Sequence, residues 1–472
     1  MNKTVKNILK NFTYTLFSNL ISLLISVILL LFVPKFIGVR DYGYWQLYLF
    51  FGTYLGILHF GWADGIYLRY GGIQYNKIDK KLFHSQFYMF VLLQLIVSMG
   101  VFTYSFYIKD VGEAYIAKML AIGLVLLNVR SLILYILQDT ARIKDYSVIT
   151  ISDRVIYASS LIIFLMIGYR SFEVLIFSDL LGKIISLVYS LYLIKDIVIQ
   201  PISTFFFSFR EMFENMSVGI KLLFANFASL LILGVVRYGI QHFWGIEIFG
   251  KISLTLSVSN LLMTFITAVG LVLFPFLRRM SRDRLNNIYL DIRHLLMVGM
   301  FIALFIYYPI NYLLPLWLPK YKDALIYISV LFPMCIYDGK FELLINTFMK
   351  TLRMERSLLL VNVASVLFSI VMTLGNIVLF KNLDIMMFSI IVILFFRSTV
   401  AELILAKQLK IKVINEIIFE TILVVAFIIS SVSFQFPISF LIYMMLFMMY
   451  VLIKWKKIKS GINYLKNIRE ID

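Results

Sequence analysis

The chain has 472 residues, 61% hydrophobic and 15% charged, with a formal net charge of +18. A soluble globular chain is nearer half apolar and a quarter charged. With a mean hydropathy of +0.91, this is the sequence of an integral membrane protein. Its one cysteine, Cys335, excludes an internal disulfide framework and a cysteine-based metal site.

A helix needs about 20 mostly apolar residues to cross the hydrocarbon core. On that rule fourteen spans are expected, with approximate limits 12–37, 42–63, 82–107, 114–138, 147–168, 171–194, 216–243, 250–277, 292–315, 323–349, 356–380, 384–408, 413–433 and 436–453. The first follows Lys3, Lys6 and Lys10. It is too long for a signal-peptide core and lacks a small-x-small cleavage site, so it reads as a retained span. With the N-terminus placed in the cytoplasm, basic residues crowd the inner segments, as the positive-inside rule requires. Among them are Arg69, Lys77, Lys80 and Lys81, then Arg278, Arg279, Arg282 and Arg284, and finally Lys454, Lys456, Lys457, Lys459 and Arg469. Both termini are then cytoplasmic. The positive charge is topology, which removes nucleic acid as a partner. The longest loop, between spans 6 and 7, is about twenty residues, too short to fold alone, so the membrane helices must carry the function.

"FIGVRDYGYWQLYLF" (36–50) and "FWGIEIFGKISLTLS" (243–257) align with Gly38 and Gly43 on Gly245 and Gly250. Both stretches fall at an outer turn after an odd span. A repeat displaced by an even number of spans is parallel, one of the arrangements transporters use. The expected architecture is all-α and polytopic: an N-lobe of spans 1–6 (1–200), a C-lobe of spans 7–12 (201–410), and an appended pair with a basic tail (411–472).

Ionisable residues inside spans are costly and face a cavity or one another. Span 2 carries Gly52 and Gly56 in small-xxx-small spacing, which predicts close helix packing, and then His59, read as a hydrogen-bonded structural residue. Arg130 in span 4 has no acidic residue one turn away. In span 5, Asp153 and Tyr157 share a face with Thr150 and Ser160, and Arg154 lies about 100° round; the plain alternative is that the neighbouring Asp153 and Arg154 are neutralised by other helices near the inner interface. In span 6, Asp179 and Lys183 stand at i, i+4 and can neutralise each other. In span 7, Asn226, Ser229, Arg237 and Gln241 fall on one polar stripe with Asn215 and Gly219; Arg237 either lines a cavity or reaches the headgroups beside Trp244. In span 10, Pro333 predicts a kink. Asp338, Glu342 and Asn346 share a face there, with Lys340 nearly opposite, so Asp338 and Glu342 are candidates for an ion-coupling site. Arg397 and Glu402 lie in span 12. Arg130, Arg154, Lys183, Arg237 and Arg397 are the candidate cations of a cavity, and Asp153, Tyr157, Asn226, Ser229 and Gln241 its polar face. Four scattered histidines, no H-E-x-x-H and no phosphate loop nominate no catalytic residue, metal or cofactor.

"GILHFGWADGIYLRYGG" (56–72) resembles the stretch after the second span of bacterial polysaccharide transporters. These are the O-antigen flippase (Wzx-like) family of the multidrug/oligosaccharidyl-lipid/polysaccharide exporter superfamily. "VPKFIGVRDYGYWQLY" (33–48), "RYGIQHFWGIEIFGKIS" (237–253) and "LPLWLPKYKDA" (314–324) resemble further segments of that family. Many relatives carry Asp-Arg late in span 7; here the pair is Val236-Arg237. The resemblance implies alternating access through a central cationic cavity. The cargo would be an undecaprenyl-pyrophosphate-linked oligosaccharide, moved from the inner to the outer leaflet of the bacterial cytoplasmic membrane. Arginine suits a pyrophosphate because it donates bidentately. Such a protein would be monomeric, with membrane lipids and a glycan polymerase as its partners. The alternatives are a drug or cation exporter of the same superfamily, which predicts a predominance of acidic cavity residues, and a glycan polymerase or ligase, which predicts a large outer loop.

Overall fold

The computed structural model describes residues 3–278 and 285–468; Arg279, Arg282, Arg284 and Arg469 lie outside the described residues. Helices and turns make up the described residues, with no strand among them. By contacts the chain divides into two units, Met1–Phe227 and Ala228–Asp472.

The first unit holds α1 (Lys3–Phe36), α2 (Val39–Gly52), α3 (Trp62–Tyr70), α4 (Lys80–Tyr104), α5 (Val111–Asp139), α6 (Ile143–Ile167), α7 (Phe172–Leu193) and the short α8 (Lys195–Val198). Carboxylates start two of these helices. Asp79 accepts from the Lys81 and Leu82 amides and Asp110 from the Glu113 amide, filling donors that a helix start leaves open. Residues 209–227, the start of α9 (Phe209–Arg278), complete the unit.

The expected span at 42–63 is not continuous. α2 ends at Gly52, a single tight turn covers Leu55–His59, and Phe60 and Gly61 adopt left-handed conformations before α3 begins. The reason lies in what α3 must approach. A methyl group at Gly61 would stand 2.5 Å from the Ile220 nitrogen, one at Gly65 would overlap the Asn215 backbone, and one at Gly219 would overlap the Gly61 carbonyl. The close packing predicted at Gly52 and Gly56 is therefore located at Gly61, Gly65 and Gly219 instead; at Gly52 and Gly56 an added methyl meets nothing within 4 Å.

The second unit continues through α10 (Leu285–Ala303), α11 (Tyr307–Trp317), α12 (Lys322–Leu325), α13 (Ile328–Leu331), α14 (Met334–Gly339), α15 (Asn346–Thr351), α16 (Glu355–Gly375), α17 (Leu383–Leu409), α18 (Ile414–Ser433) and α19 (Ile438–Ile468). Between α14 and α15 the chain widens into a π-helical turn, Lys340–Ile345, a form that is rare and recurs at functional sites. The interruption expected at Pro333 is present, since the chain turns at 332–333. The 49° bend of this region falls earlier, between Leu325 and Ile328.

Eleven helices among the described residues are long and apolar enough to cross a membrane, or twelve if the bent pair Pro319–Leu325 and Ile328–Thr351 is one span. The protein is thus multi-pass. Two differences separate this from the fourteen expected spans. The second is broken, and the seventh and eighth run together as α9, interrupted by a non-helical Gly245 at φ 80°, ψ 176°. That conformation is open to glycine and hardly to any other residue.

Each unit has its own core. Trp62, Phe90, Ile133, Leu137 and Ile149 are fully buried in the first, and Tyr289, Phe341, Leu344, Phe348 and Leu405 in the second. Ile96, Met99, Ile163, Val188, Val371 and Val378 stay exposed. In lipid, apolar contact gives helices little reason to associate; packing and polar contacts do that instead.

Candidate functional site

In the first unit, α5, α6 and α7 bring the nominated polar residues together. Arg130 is paired with Asp153 at 2.8 Å and also donates to the Ser186 hydroxyl at 3.1 Å. The acidic partner missing from its own helix thus comes from α6. The alternative, neutralisation of Asp153 and Arg154 by other helices, is met for Asp153 by Arg130 of α5, while Arg154 is exposed. Lys183 and Asp179 pair along α7 as their spacing predicts, and Tyr48 donates to Asp179 at 2.7 Å. Tyr157 is buried and lies 6.0 Å from the Trp45 ring. Gly182 allows the approach of α7, since a methyl there would stand 2.7 Å from the Asp153 carbonyl.

If the Arg130–Asp153 contact holds the helices together, removing either partner strands the other in a low-dielectric interior. Arg130→Ala combined with Asp153→Ala should then be less destabilised than the two single losses added together. Thermal unfolding of the four proteins in detergent measures the coupling, expected at roughly 0.5–3 kcal/mol.

In the second unit, Arg397 gathers the remaining candidates. Its guanidinium pairs with Asp338 at 3.0 Å and Glu342 at 3.2 Å. It also donates to Ser229 at 2.7 Å and to Asn362 at 3.2 Å, and lies 3.6 Å from the centre of the Phe341 ring. Thus Arg397, Asp338, Glu342 and Ser229, drawn from three distant stretches of sequence, form one cluster. Asn346 donates to the second oxygen of Glu342 at 2.9 Å. Two carboxylates face one guanidinium, so the cluster is net negative when both are ionised. Asp338 and Glu342 keep partial exposure, 18% and 29% of their side chains. Among the described residues no group of three or more His, Cys, Asp or Glu side chains is arranged to hold a metal ion.

Lys340 points away from that cluster, as helical spacing predicts. It enters a second network that single-helix spacing does not reveal. Arg293 pairs with Glu402 at 2.6 Å and Glu420 at 2.5 Å, Lys340 pairs with Glu402 at 2.7 Å and Glu420 at 3.2 Å, and Tyr289 donates to Glu402 at 3.0 Å. No member exposes more than 2% of its charged side chain. Two cations and two anions cancel, and the geometry supplies hydrogen bonds to both carboxylates, the condition under which buried charge is tolerated. One signal was available in the sequence: Glu416 and Glu420 stand at i, i+4 in an otherwise apolar span.

The rest of the span-7 stripe is placed as follows. Arg237 is half-buried, donates to the Ser253 hydroxyl at 3.1 Å and lies over the Phe249 ring at 5.4 Å. Gln241 is half-buried and Asn226 exposed.

No protein-family model matches the chain, and no curated relative matches it. Solved structures do. An inward-facing multidrug resistance MATE family transporter of the MOP superfamily aligns with a TM-score of 0.61 at 13% identity, over 87% of this chain and 98% of its own. A MATE protein in complex with MaD3S aligns with a TM-score of 0.55 at 12% identity, over 85% and 96%. A MOP superfamily transporter from Pyrococcus furiosus, described as having a binding pocket of reverse polarity that suggests a different function, aligns at 0.51 and 11% identity, over 85% and 96%. At these identities the likeness establishes the fold: the chain has the helical fold of MATE transporters.

Proposed function

We propose that this chain is an alternating-access membrane transporter of the MOP type, and that it exports an organic cation. The observation that carries the cargo class is the charge balance at Arg397. Asp338 and Glu342 together outweigh the one guanidinium they share, and both remain partly exposed. A lipophilic cation entering such a site adds the charge the cluster lacks, in an interior where an unbalanced charge is costly. The multidrug resistance transporter that shares the fold agrees with this reading. No catalytic residue is required.

A second reading is translocation of lipid-linked oligosaccharide in a bacterial inner membrane, favoured by the resemblance of residues 56–72 to the polysaccharide transporters. It needs cations available to a pyrophosphate. Arg130, Lys183 and Arg397 are already matched by Asp153, Asp179 and the Asp338–Glu342 pair, so a phosphate bound at these three would have to displace carboxylates. Cation export demands no such exchange.

Reconstitution in proteoliposomes tests the proposal. Saturable transport of a lipophilic cation such as ethidium is expected, reduced at least tenfold by Asp338→Asn, which neutralises the cluster while leaving Glu342 on Arg397. Absence of cation transport by folded protein, together with inner-leaflet accumulation of complete lipid-linked repeat units on gene deletion, would overturn it in favour of the flippase.

A further inference from the structure

Between α8 and α9 the chain is hydrogen-bonded to α4. Polar groups of α4 fix it. Tyr88 donates to the Val198 carbonyl at 3.2 Å, Gln86 donates to the Ser208 carbonyl at 3.1 Å, and the Ser85 hydroxyl accepts from the Phe206 amide at 3.1 Å. Gln200 donates back to the Lys80 carbonyl at 3.2 Å. The backbone is thereby fixed and Phe205 packs against the core of the unit, yet the other large apolar side chains are turned outward. Ile202 is 91% exposed, Ile199 77%, Phe207 65% and Phe209 52%. The rings of Phe207 and Phe209 stack at 5.5 Å. A free aqueous loop has no reason to display ordered isoleucine and phenylalanine in this way, and an apolar patch of this kind marks a contact surface.

Its position identifies what it contacts. The segment begins a few residues after one apolar helix, Phe172–Leu193, and runs into another, Phe209–Leu261, so it lies at the height of a membrane surface. Exposed Lys77, Lys81 and Lys195 border the same end, and Lys80 is paired with Asp196 at its base. We propose that residues 199–209 form an interfacial anchor. Its Ile and Phe side chains lie at the boundary of acyl chains and headgroups in the leaflet facing the basic end, and the neighbouring lysines meet anionic headgroups. Such a combination of apolar insertion with basic residues is how monotopic segments bind bilayers. A second copy of the chain is the poorer occupant, since a two-fold pairing would bring the same lysines against each other. The assignment holds whichever cargo is moved.

Site-directed spin labelling tests it. Ile202→Cys and Phe207→Cys are made separately in a Cys335→Ser background, labelled with a nitroxide and placed in nanodiscs of phosphatidylglycerol and phosphatidylethanolamine. Asn76→Cys, exposed at the same end, is the aqueous reference. Labels at 202 and 207 should collide with oxygen several-fold more readily than with a water-soluble nickel chelate, and the label at 76 should show the reverse. Nickel accessibility equal to that at 76 would overturn the anchor as a free aqueous loop. Protection from both reagents would overturn it in favour of a protein-covered surface. If Cys335→Ser impairs folding, the native Cys335 is retained, its burial keeping it from the label.

Discussion

Glu402→Gln is expected to destabilise the second unit by roughly 3–5 kcal/mol, the cost of breaking a buried ion network by removing one partner. The substitution keeps the shape of the side chain and removes one negative charge. Arg293 and Lys340 are then left with Glu420 alone, inside a network that exposes almost nothing to solvent. The measurement is the thermal unfolding midpoint in detergent, followed by size-exclusion fluorescence. Two comparisons separate charge from packing. Adding Lys340→Met restores neutrality, with Arg293 facing Glu420, and should recover a large part of the loss. Asp323→Asn, at the 86% exposed end of the Lys251 pair, should barely move the midpoint, because exposed ion pairs contribute little. A Glu402→Gln protein as stable as the parent would show that the network does not hold the unit together.

Gly65→Ala is the second large effect. Overpacking a core costs about 1–3 kcal/mol when side chains can yield. Here the added methyl would meet the main chain of Asn215, which cannot rotate aside. Separation of α3 from the start of α9 is the only relief, and it would pull on Arg69, which holds Glu211 at 2.6 Å and Glu214 at 2.9 Å across the same contact. The expected result is loss of monodisperse protein after extraction. Gly52→Ala and Gly56→Ala should leave the yield unchanged, since an added methyl at either position meets nothing. Equal behaviour of the three variants would remove the close approach as the reason for the glycines.

The contrast between these glycines shows what a sequence can carry. Hydropathy located the helices because a membrane crossing demands a fixed apolar length: the stretches 82–107 and 384–408 correspond to Lys80–Tyr104 and Leu383–Leu409. It could not locate the break after Gly52, since Phe60 and Gly61 interrupt the helix by backbone conformation while the residues remain apolar. Gly245 was legible only through its match to Gly38, and both stand at helix interruptions. For the site, spacing along one helix found the Asp179–Lys183 pair and the shared face of Asp338 and Glu342. Which helix faces which is a tertiary matter, so the Arg130–Asp153 and Arg397–Asp338 contacts lay beyond it. Arg293 stands at the edge of a span, where a basic residue is expected to face the cytoplasm, and its burial depends on carboxylates far along the chain.

That separation bears on how the protein is made. Arg293 meets Glu402 across 109 residues and Glu420 across 127. During synthesis α10 and the Lys340 turn are complete long before either carboxylate leaves the ribosome, so the nascent chain carries two cations awaiting their counter-charges. A chain arrested before α17 holds unmatched positive charge that hydrocarbon disfavours, and one arrested before α18 is only half neutralised. The network is therefore charge-balanced only once the chain extends through Glu420.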